Sequence, residues 1–260
     1  MAHELVKLEK LTKTYRSFEG LFKGSGTGFN AVDRADLLLT EGMRLGIVGE
    51  SGSGKTTLAK MLCDLTPPTE GHVLYKGRDI HSDPSIYDEY RKNVQMVFQD
   101  PFSSLNPKLT IGSALSDGVA KHITQDKAEI RDRCVSIMEM VGLEEEHLER
   151  YPHEFSGGQR QRISIARALS LEPKVLVADE PVSSLDVSVQ AQILNLLKKL
   201  CEENSITLVL ISHDIAVVSY LCGDMIVMKD GIIVERGKTA EIIANPAEEY
   251  TRTLLEACVI

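Results

Sequence analysis

Gly49-Glu50-Ser51-Gly52-Ser53-Gly54-Lys55-Thr56 is the stretch on which the reading of this chain turns. Ahead of it, Met43-Arg44-Leu45-Gly46-Ile47-Val48 is a short apolar run that reads as a buried strand. Behind it, Leu58, Met61, Leu62 and Leu65 recur at i, i+3, i+4 and i+7, the period of a helix that begins near Thr56. Strand, glycine-rich turn, helix is the context in which G-x-x-x-x-G-K-[ST] cradles phosphate. The glycines Gly49, Gly52 and Gly54 let successive backbone N–H groups curl around phosphate oxygens, and the helix N-terminus adds positive potential. Lys55 spans the β- and γ-phosphates and the Thr56 hydroxyl binds Mg²⁺. Glu50, Ser51, Ser53 and Thr57 complete the expected nucleotide-binding set.

Outward from this loop the same alternation continues. Lys174-Val175-Leu176-Val177-Ala178 and Ile206-Thr207-Leu208-Val209-Leu210-Ile211 are short apolar, β-branched runs. Between them Val189, Ile193, Leu196, Leu197 and Leu200 line one face of a helix. Strands alternating with helices predict a parallel α/β sheet. The first of these two strands ends in Asp179-Glu180, at the carboxyl edge where open α/β sheets bind ligands. Asp179 is expected in the Mg²⁺ shell and Glu180 as the general base that polarises water, although such a pair also suits a solvated turn. Met225 to Met228 and Ile232 to Glu235 flank Lys229-Asp230-Gly231, a hairpin signal that adds an antiparallel piece. From about Asp100 to Tyr151 the sequence is turn-rich, then charged and helix-prone, and reads as a helical insertion. Gly24-Ser25-Gly26-Thr27-Gly28 reads as a flexible surface loop.

Ser156-Gly157-Gly158-Gln159 has the S-x-x-Q form of a capping box and opens a helix over Arg160 to Leu171. Two readings stay open: a tight turn before a helix, or a second phosphate-binding helix end. A single nucleotide gives one chain no reason to build both ends unless they meet across a dimer.

Composition narrows the class. The 260 residues, 43% hydrophobic, suffice for a real core. With 38 acidic and 29 basic residues the net charge is −9, which disfavours a broad nucleic-acid footprint. Cys63, Cys134, Cys201, Cys222 and Cys258 are scattered without a C-x-x-C pair, so neither a disulfide framework nor a thiolate metal site is expected, and a reducing cytoplasm fits. The N-terminus has no apolar leader core and no run approaches the roughly 18 apolar residues of a membrane span. Any membrane role is expected to run through a partner.

Taken together, the motifs resemble those of the ATP-binding subunits of ABC transporters, in that family's order and over essentially the whole chain. After the phosphate loop come Gln99, Phe155-Ser156-Gly157-Gly158-Gln159, Val175 to Glu180, Ser183-Ser184-Leu185-Asp186 and His213. The resemblance implies a P-loop NTPase (RecA-like) α/β core with an antiparallel β subdomain, over approximately residues 1–99 and 172–260. It also implies an inserted α-helical subdomain carrying the signature, over approximately 100–171. It implies that two subunits sandwich two ATPs head to tail, each signature closing on the γ-phosphate held by the opposite loop. In that arrangement Tyr15 stacks on adenine, Gln99 contacts Mg²⁺ and the attacking water, His213 bonds the γ-phosphate, and Asp186 reaches across the dimer. Asp186 equally suits a cap for the helix that follows it. Phe155 stands where Leu is commoner and Ser184 where Ala is commoner; neither change removes a reacting group.

The stretches Phe98 to Pro107 and Asp179 to Gln192 resemble the dipeptide, oligopeptide and nickel importer subfamily. That likeness implies a sister ATPase or a second copy, two integral membrane permeases, indirectly an extracytoplasmic solute-binding protein, and a peripheral place on the cytoplasmic face of the membrane. Relatives often carry a cysteine-containing tail after the segment that matches Asn245 to Tyr250; here the chain stops at Ile260, and no metal cluster is expected. Two rivals fit less well. ABC ATPases acting on DNA or ribosomes carry long inserted modules or two cassettes, against one cassette here with about 100 residues between loop and signature. A switch that binds without hydrolysing is disfavoured by Glu180 and His213.

Overall fold

The computed structural model describes residues 3–16, 28–101 and 105–257. These fall into two compact units, Met1–Tyr90 with Leu210–Ile260, and Arg91–Val209.

The first unit holds two sets of strands. One is antiparallel, in the order β2-β1-β4-β5, built from β1 (Glu4–Arg16), β2 (Gly28–Thr40), β4 (Glu70–Tyr75) and β5 (Arg78–Asp79). Its inner face alternates by the period of two: Ala35, Leu37 and Leu39 are buried while Asp36 and Leu38 between them are exposed. In the other set β3 (Arg44–Val48) runs parallel to β9 (Asp224–Lys229), which pairs antiparallel with β10 (Ile232–Lys238). The hairpin expected at Lys229-Asp230-Gly231 is present. Asp230 (φ 49°) and Gly231 (φ 81°) are both left-handed, the requirement of a two-residue turn that matches strand twist.

The strand expected over Met43 to Val48 is β3, and the helix expected behind the phosphate loop is α1 (Lys55–Leu62). Leu58, Met61 and Leu62 are buried as their spacing predicts. Leu65 is not: the helix stops at Cys63, Asp64 turns left-handed, and Leu65 is 47% exposed. The apolar period thus runs one turn past the helix end. α2 (Pro84–Asn93) follows β5, and its Tyr90 hydroxyl donates to Leu62 O, one of the carbonyls that the end of α1 leaves unpaired. The flexible loop expected at residues 24–27 lies outside the described residues, while Gly28 opens β2.

In the second unit β6 (Val94–Val97) pairs in parallel with β7 (Val175–Asp179), whose five residues are all buried. Between them, among the described residues, the chain forms α3 (Ile111–His122), α4 (Lys127–Met140), two short 3₁₀ turns and α5 (Gly157–Leu169). After β7 comes α6 (Val187–Glu203), with Ile193, Leu197 and Leu200 buried as expected, while Val189 and Leu196 are only half-buried and Leu194 and Cys201 join the buried face instead. β8 (Thr207–Ile211), fully buried, carries the chain back to the first unit, where α7 (Ile215–Leu221), α8 (Thr239–Ala244) and α9 (Glu249–Ala257) complete it. Cys63, Cys134, Cys201 and Cys222 are buried. No helix among the described residues is long and apolar enough to cross a membrane.

Candidate functional site

The phosphate loop belongs to the first unit. α1 begins on Gly54, whose φ of +101° is glycine territory, and a Cβ there would lie 2.2 Å from Ala31 O. The first turn of α1 holds no acidic residue, so the positive end of its dipole is uncompensated by side chains. Lys55 is only 5% exposed, and its ammonium donates to Gly49 O at 2.8 Å and Glu50 O at 2.7 Å. Ser53 N–H closes the turn on Glu50 O at 3.2 Å. From behind, the β9–β10 hairpin grips the same turn. Gly231 N–H donates to Ser53 O at 3.1 Å, and Asp33 N–H donates to Gly231 O at 2.9 Å.

His213 stands two residues past β8. Ser212 N–H donates to Ile47 O at 3.2 Å, so His213 leaves the end of β8 beside the end of β3, from which the phosphate loop also leaves. His213 is exposed, and Asp214 after it caps α7 by accepting from Ala216 N–H at 2.8 Å. Tyr15, near the end of β1, is 44% exposed; Lys13 Nζ lies 5.4 Å from its ring centre. Phe29, 59% exposed, pairs directly opposite Tyr15 across the two strands, so the ring expected to meet a base has an aromatic neighbour that the sequence pattern does not single out.

The second unit holds the carboxylates. Asp179 ends β7 at 3% exposure and Glu180 follows with φ +43°. Val97 and Ala178 are partners in the β6–β7 ladder, so Gln99 and Glu180 emerge side by side, and Gln99 Nε2 donates to Glu180 Oε2 at 3.2 Å. Arg167 of α5, its guanidinium 5.8 Å from the ring centre of Phe98, backs this turn. Burial lowers the Arg167 pKa from its ordinary value.

Ser156 and Gln159 form the capping box expected of them. Ser156 Oγ accepts from Gln159 N–H at 3.3 Å, and Gln159 Oε1 accepts from Ser156 N–H at 3.0 Å. Gly158 has a packing reason as well: a Cβ there would sit 2.5 Å from Val189 Cγ1 of α6. The signature stretch and the start of α6 are thus brought together. Asp186 is the cap of α6, its Oδ1 accepting from Ser188 Oγ at 2.7 Å and Val189 N–H at 3.0 Å. Those bonds, the Ser188 hydroxyl first, hold its carboxyl below the ordinary value.

Thr56 hydroxyl, Gln99 amide oxygen and Asp179 carboxylate are all hard oxygen donors, the type a Mg²⁺ ion takes, and the Gln99 amide nitrogen is already committed to Glu180. The donor chemistry therefore fits the ion.

Comparison with known proteins gives concordant results. Residues 32–183 match the model of the ABC transporter family. The chain is 45% identical over 248 residues to the dipeptide transport ATP-binding protein DppF of Haemophilus influenzae, covering 95% of this chain and 76% of that one. With the oligopeptide transport ATP-binding protein OppF of Escherichia coli it shares 47% over 232 residues, 88% and 70% of the two chains. Among solved structures, a dimeric post-hydrolysis state of the ATP-binding cassette MJ0796 bound to ADP and Pi aligns at a TM-score of 0.79 and 33% identity, covering 90% of this chain and 99% of that one. CbiO1 from Clostridium perfringens, part of the ABC transporter complex cbiONQ, aligns at 0.77 and 30%, covering 94% and 92%.

Proposed function

This chain belongs to the ABC transporter family as an ATP-binding subunit that hydrolyses ATP, and from that premise we propose that it powers peptide import through separate membrane permeases. Relatives named for dipeptide and oligopeptide transport, at 41–47% identity, support the cargo class. The chain works at the cytoplasmic face of the membrane as a peripheral subunit, paired with a second copy or a sister ATPase, beneath two permeases that an extracytoplasmic binding protein feeds.

The observation that carries the hydrolytic part is the hydrogen bond from Gln99 to Glu180. Glu180 takes the proton of the attacking water as general base, and Gln99 orients its carboxylate. Gly49 to Thr57 hold the phosphates, Lys55 supplies charge to the β- and γ-oxygens, and His213 bonds the γ-phosphate. Tyr15 stacks on the base. Thr56, Gln99 and Asp179 hold Mg²⁺, which when bound neutralises phosphate charge. Ser156 to Gln159 present the N-terminus of α5 to the nucleotide of the opposite subunit, with Asp186 beside them. ATP closes the dimer, closure moves the permeases through the Gln99 region, and hydrolysis reopens it. The segment over approximately 100–171 acts as the helical subdomain and the rest as the nucleotide-binding core.

The test is to recover a tagged Glu180→Gln chain with ATP and Mg²⁺ from detergent-solubilised membranes of its own cell. Co-recovery of two polytopic permeases is the expected result; nucleic acid or ribosomes in their place would overturn the proposal.

A further inference from the structure

The Gly49–Glu50 peptide is held from both sides. Its carbonyl, Gly49 O, accepts from Lys55 Nζ at 2.8 Å, and its N–H, on Glu50, donates to the Tyr250 hydroxyl at 3.1 Å. Lys55 also donates to Glu50 O at 2.7 Å, the carbonyl of the next peptide, so the Gly49–Glu50 plane directly sets one ammonium donor and adjoins the acceptor of a second. Tyr250 lies on α9, 200 residues away in sequence, and is itself fixed from two directions. Lys229, at the end of β9, places its ammonium 4.9 Å from the Tyr250 ring centre. Glu235 of β10 accepts from Ala247 N–H at 2.8 Å and Glu248 N–H at 3.3 Å, which caps the start of α9 from another element. Thr251, next to Tyr250, is 1% exposed and anchors the helix on the unit.

We infer that Tyr250 is a positioning residue for ATP binding: its hydroxyl fixes the Gly49–Glu50 peptide, and through that peptide the Lys55 ammonium, so that α9 sets the affinity of the phosphate loop. The inference rests on Gly49 to Thr56 being the phosphate-binding loop. The hydroxyl acts as the acceptor of a backbone N–H, a role that no atom of a phenylalanine ring replaces. Without it the peptide is held only through Gly49 O and Lys55, and the ammonium loses a fixed acceptor from which to meet the phosphates. Chemistry at Glu180 is untouched, so the loss falls on binding.

Tyr250→Phe in the full chain, assayed for steady-state ATP hydrolysis and thermal unfolding, tests this beside Lys55→Ala. The ring and its contact with Lys229 survive in the phenylalanine variant. We expect KM for ATP to rise about fivefold, the factor that about 1 kcal/mol of one hydrogen bond carries, with kcat at saturating ATP and the unfolding midpoint unchanged. An unchanged KM would overturn the inference. So would a lowered midpoint with kcat and KM disturbed together, since α9 would then be a general prop. If Lys55→Ala binds ATP as the parent chain does, the phosphate-loop assignment itself fails, an outcome separate from failure of the Tyr250 role alone.

Discussion

Gln99 and Glu180, 81 residues apart, meet through a 3.2 Å hydrogen bond because β6 and β7 are parallel neighbours whose ends the two residues extend. Glu180 holds a left-handed backbone, φ +43°, which is costly for a residue with a Cβ by about 1–2 kcal/mol. Its own carbonyl accepts from Ser183 N–H and Ser183 Oγ, at 3.3 and 3.2 Å, and these bonds hold the turn. Strain kept at a residue that sits beside a second polar side chain is a common mark of a working group.

Removing the carboxylate while keeping its shape isolates that group. Glu180→Gln is expected to retain ATP affinity and to lose hydrolysis by about 10²–10⁴-fold, the usual worth of a general base. Phosphate release and nucleotide titration on the same preparation check it; parent-like turnover would remove Glu180 from the mechanism.

Lys55→Ala is expected to abolish tight ATP binding, because the loop then offers amides alone to the β- and γ-phosphates. Calorimetric titration reads this directly. Folding should persist, since the bonds lost with the ammonium are to loop carbonyls that water can reach once the side chain is gone.

Gly54→Ala puts a Cβ 2.2 Å from Ala31 O at a φ of +101°. Left-handed strain and overpacking together predict a destabilisation of about 2–4 kcal/mol, seen as a lower unfolding midpoint, with nucleotide affinity falling alongside it.

Ser156 separates two effects by size. Ser156→Ala loses the cap of α5 and should cost about 1 kcal/mol in stability. Ser156→Arg blocks the helix end; in a homodimer it should stop hydrolysis while a single chain still binds ATP, and normal hydrolysis by that variant would rule out a site shared across subunits.

Glu235 gives a pH signature. Burial works to raise its carboxyl, and the Thr251 hydroxyl, then the amides of Ala247 and Glu248 and the Arg252 charge, outweigh it, leaving the pKa below the ordinary glutamate value. A depressed folded pKa means that its support for α9 is complete above the unfolded value of about 4.3 and is lost as the pH falls through the folded one. The unfolding midpoint of Glu235→Ala should therefore lie below that of the parent at neutral pH and converge with it in acid.

The apolar runs that form β3, β7 and β8 are legible in the sequence because buried parallel strands are short, continuous and β-branched, and the capping box of Ser156 and Gln159 marks the start of its helix by residue type and spacing alone. The antiparallel sheet of β1, β2 and β4 is hidden for a physical reason. Leu37-Leu38-Leu39 looks like an unbroken apolar run, although only Leu37 and Leu39 face inward, and β1 interleaves Lys7, Glu9 and Lys13 with its buried leucines while its register shifts at bulges. Asp186 suits two roles by sequence, and the cap is the one that its Oδ1 performs here. Tyr250 carries no local pattern at all: a lone hydroxyl that meets the chain 200 residues upstream is visible only once the chain is folded.

The Asp230-Gly231 turn looks, by its chemistry, like an ideal place to splice in an epitope or a reporter, since tight hairpin tips usually accept insertions. Here Gly231 donates to Ser53 O and accepts from Asp33 N–H, so the tip is a keystone between the glycine-rich turn and β2. Labels and grafts intended to leave the ATPase intact belong elsewhere on the chain, and a library of random insertions should show this hairpin as a gap.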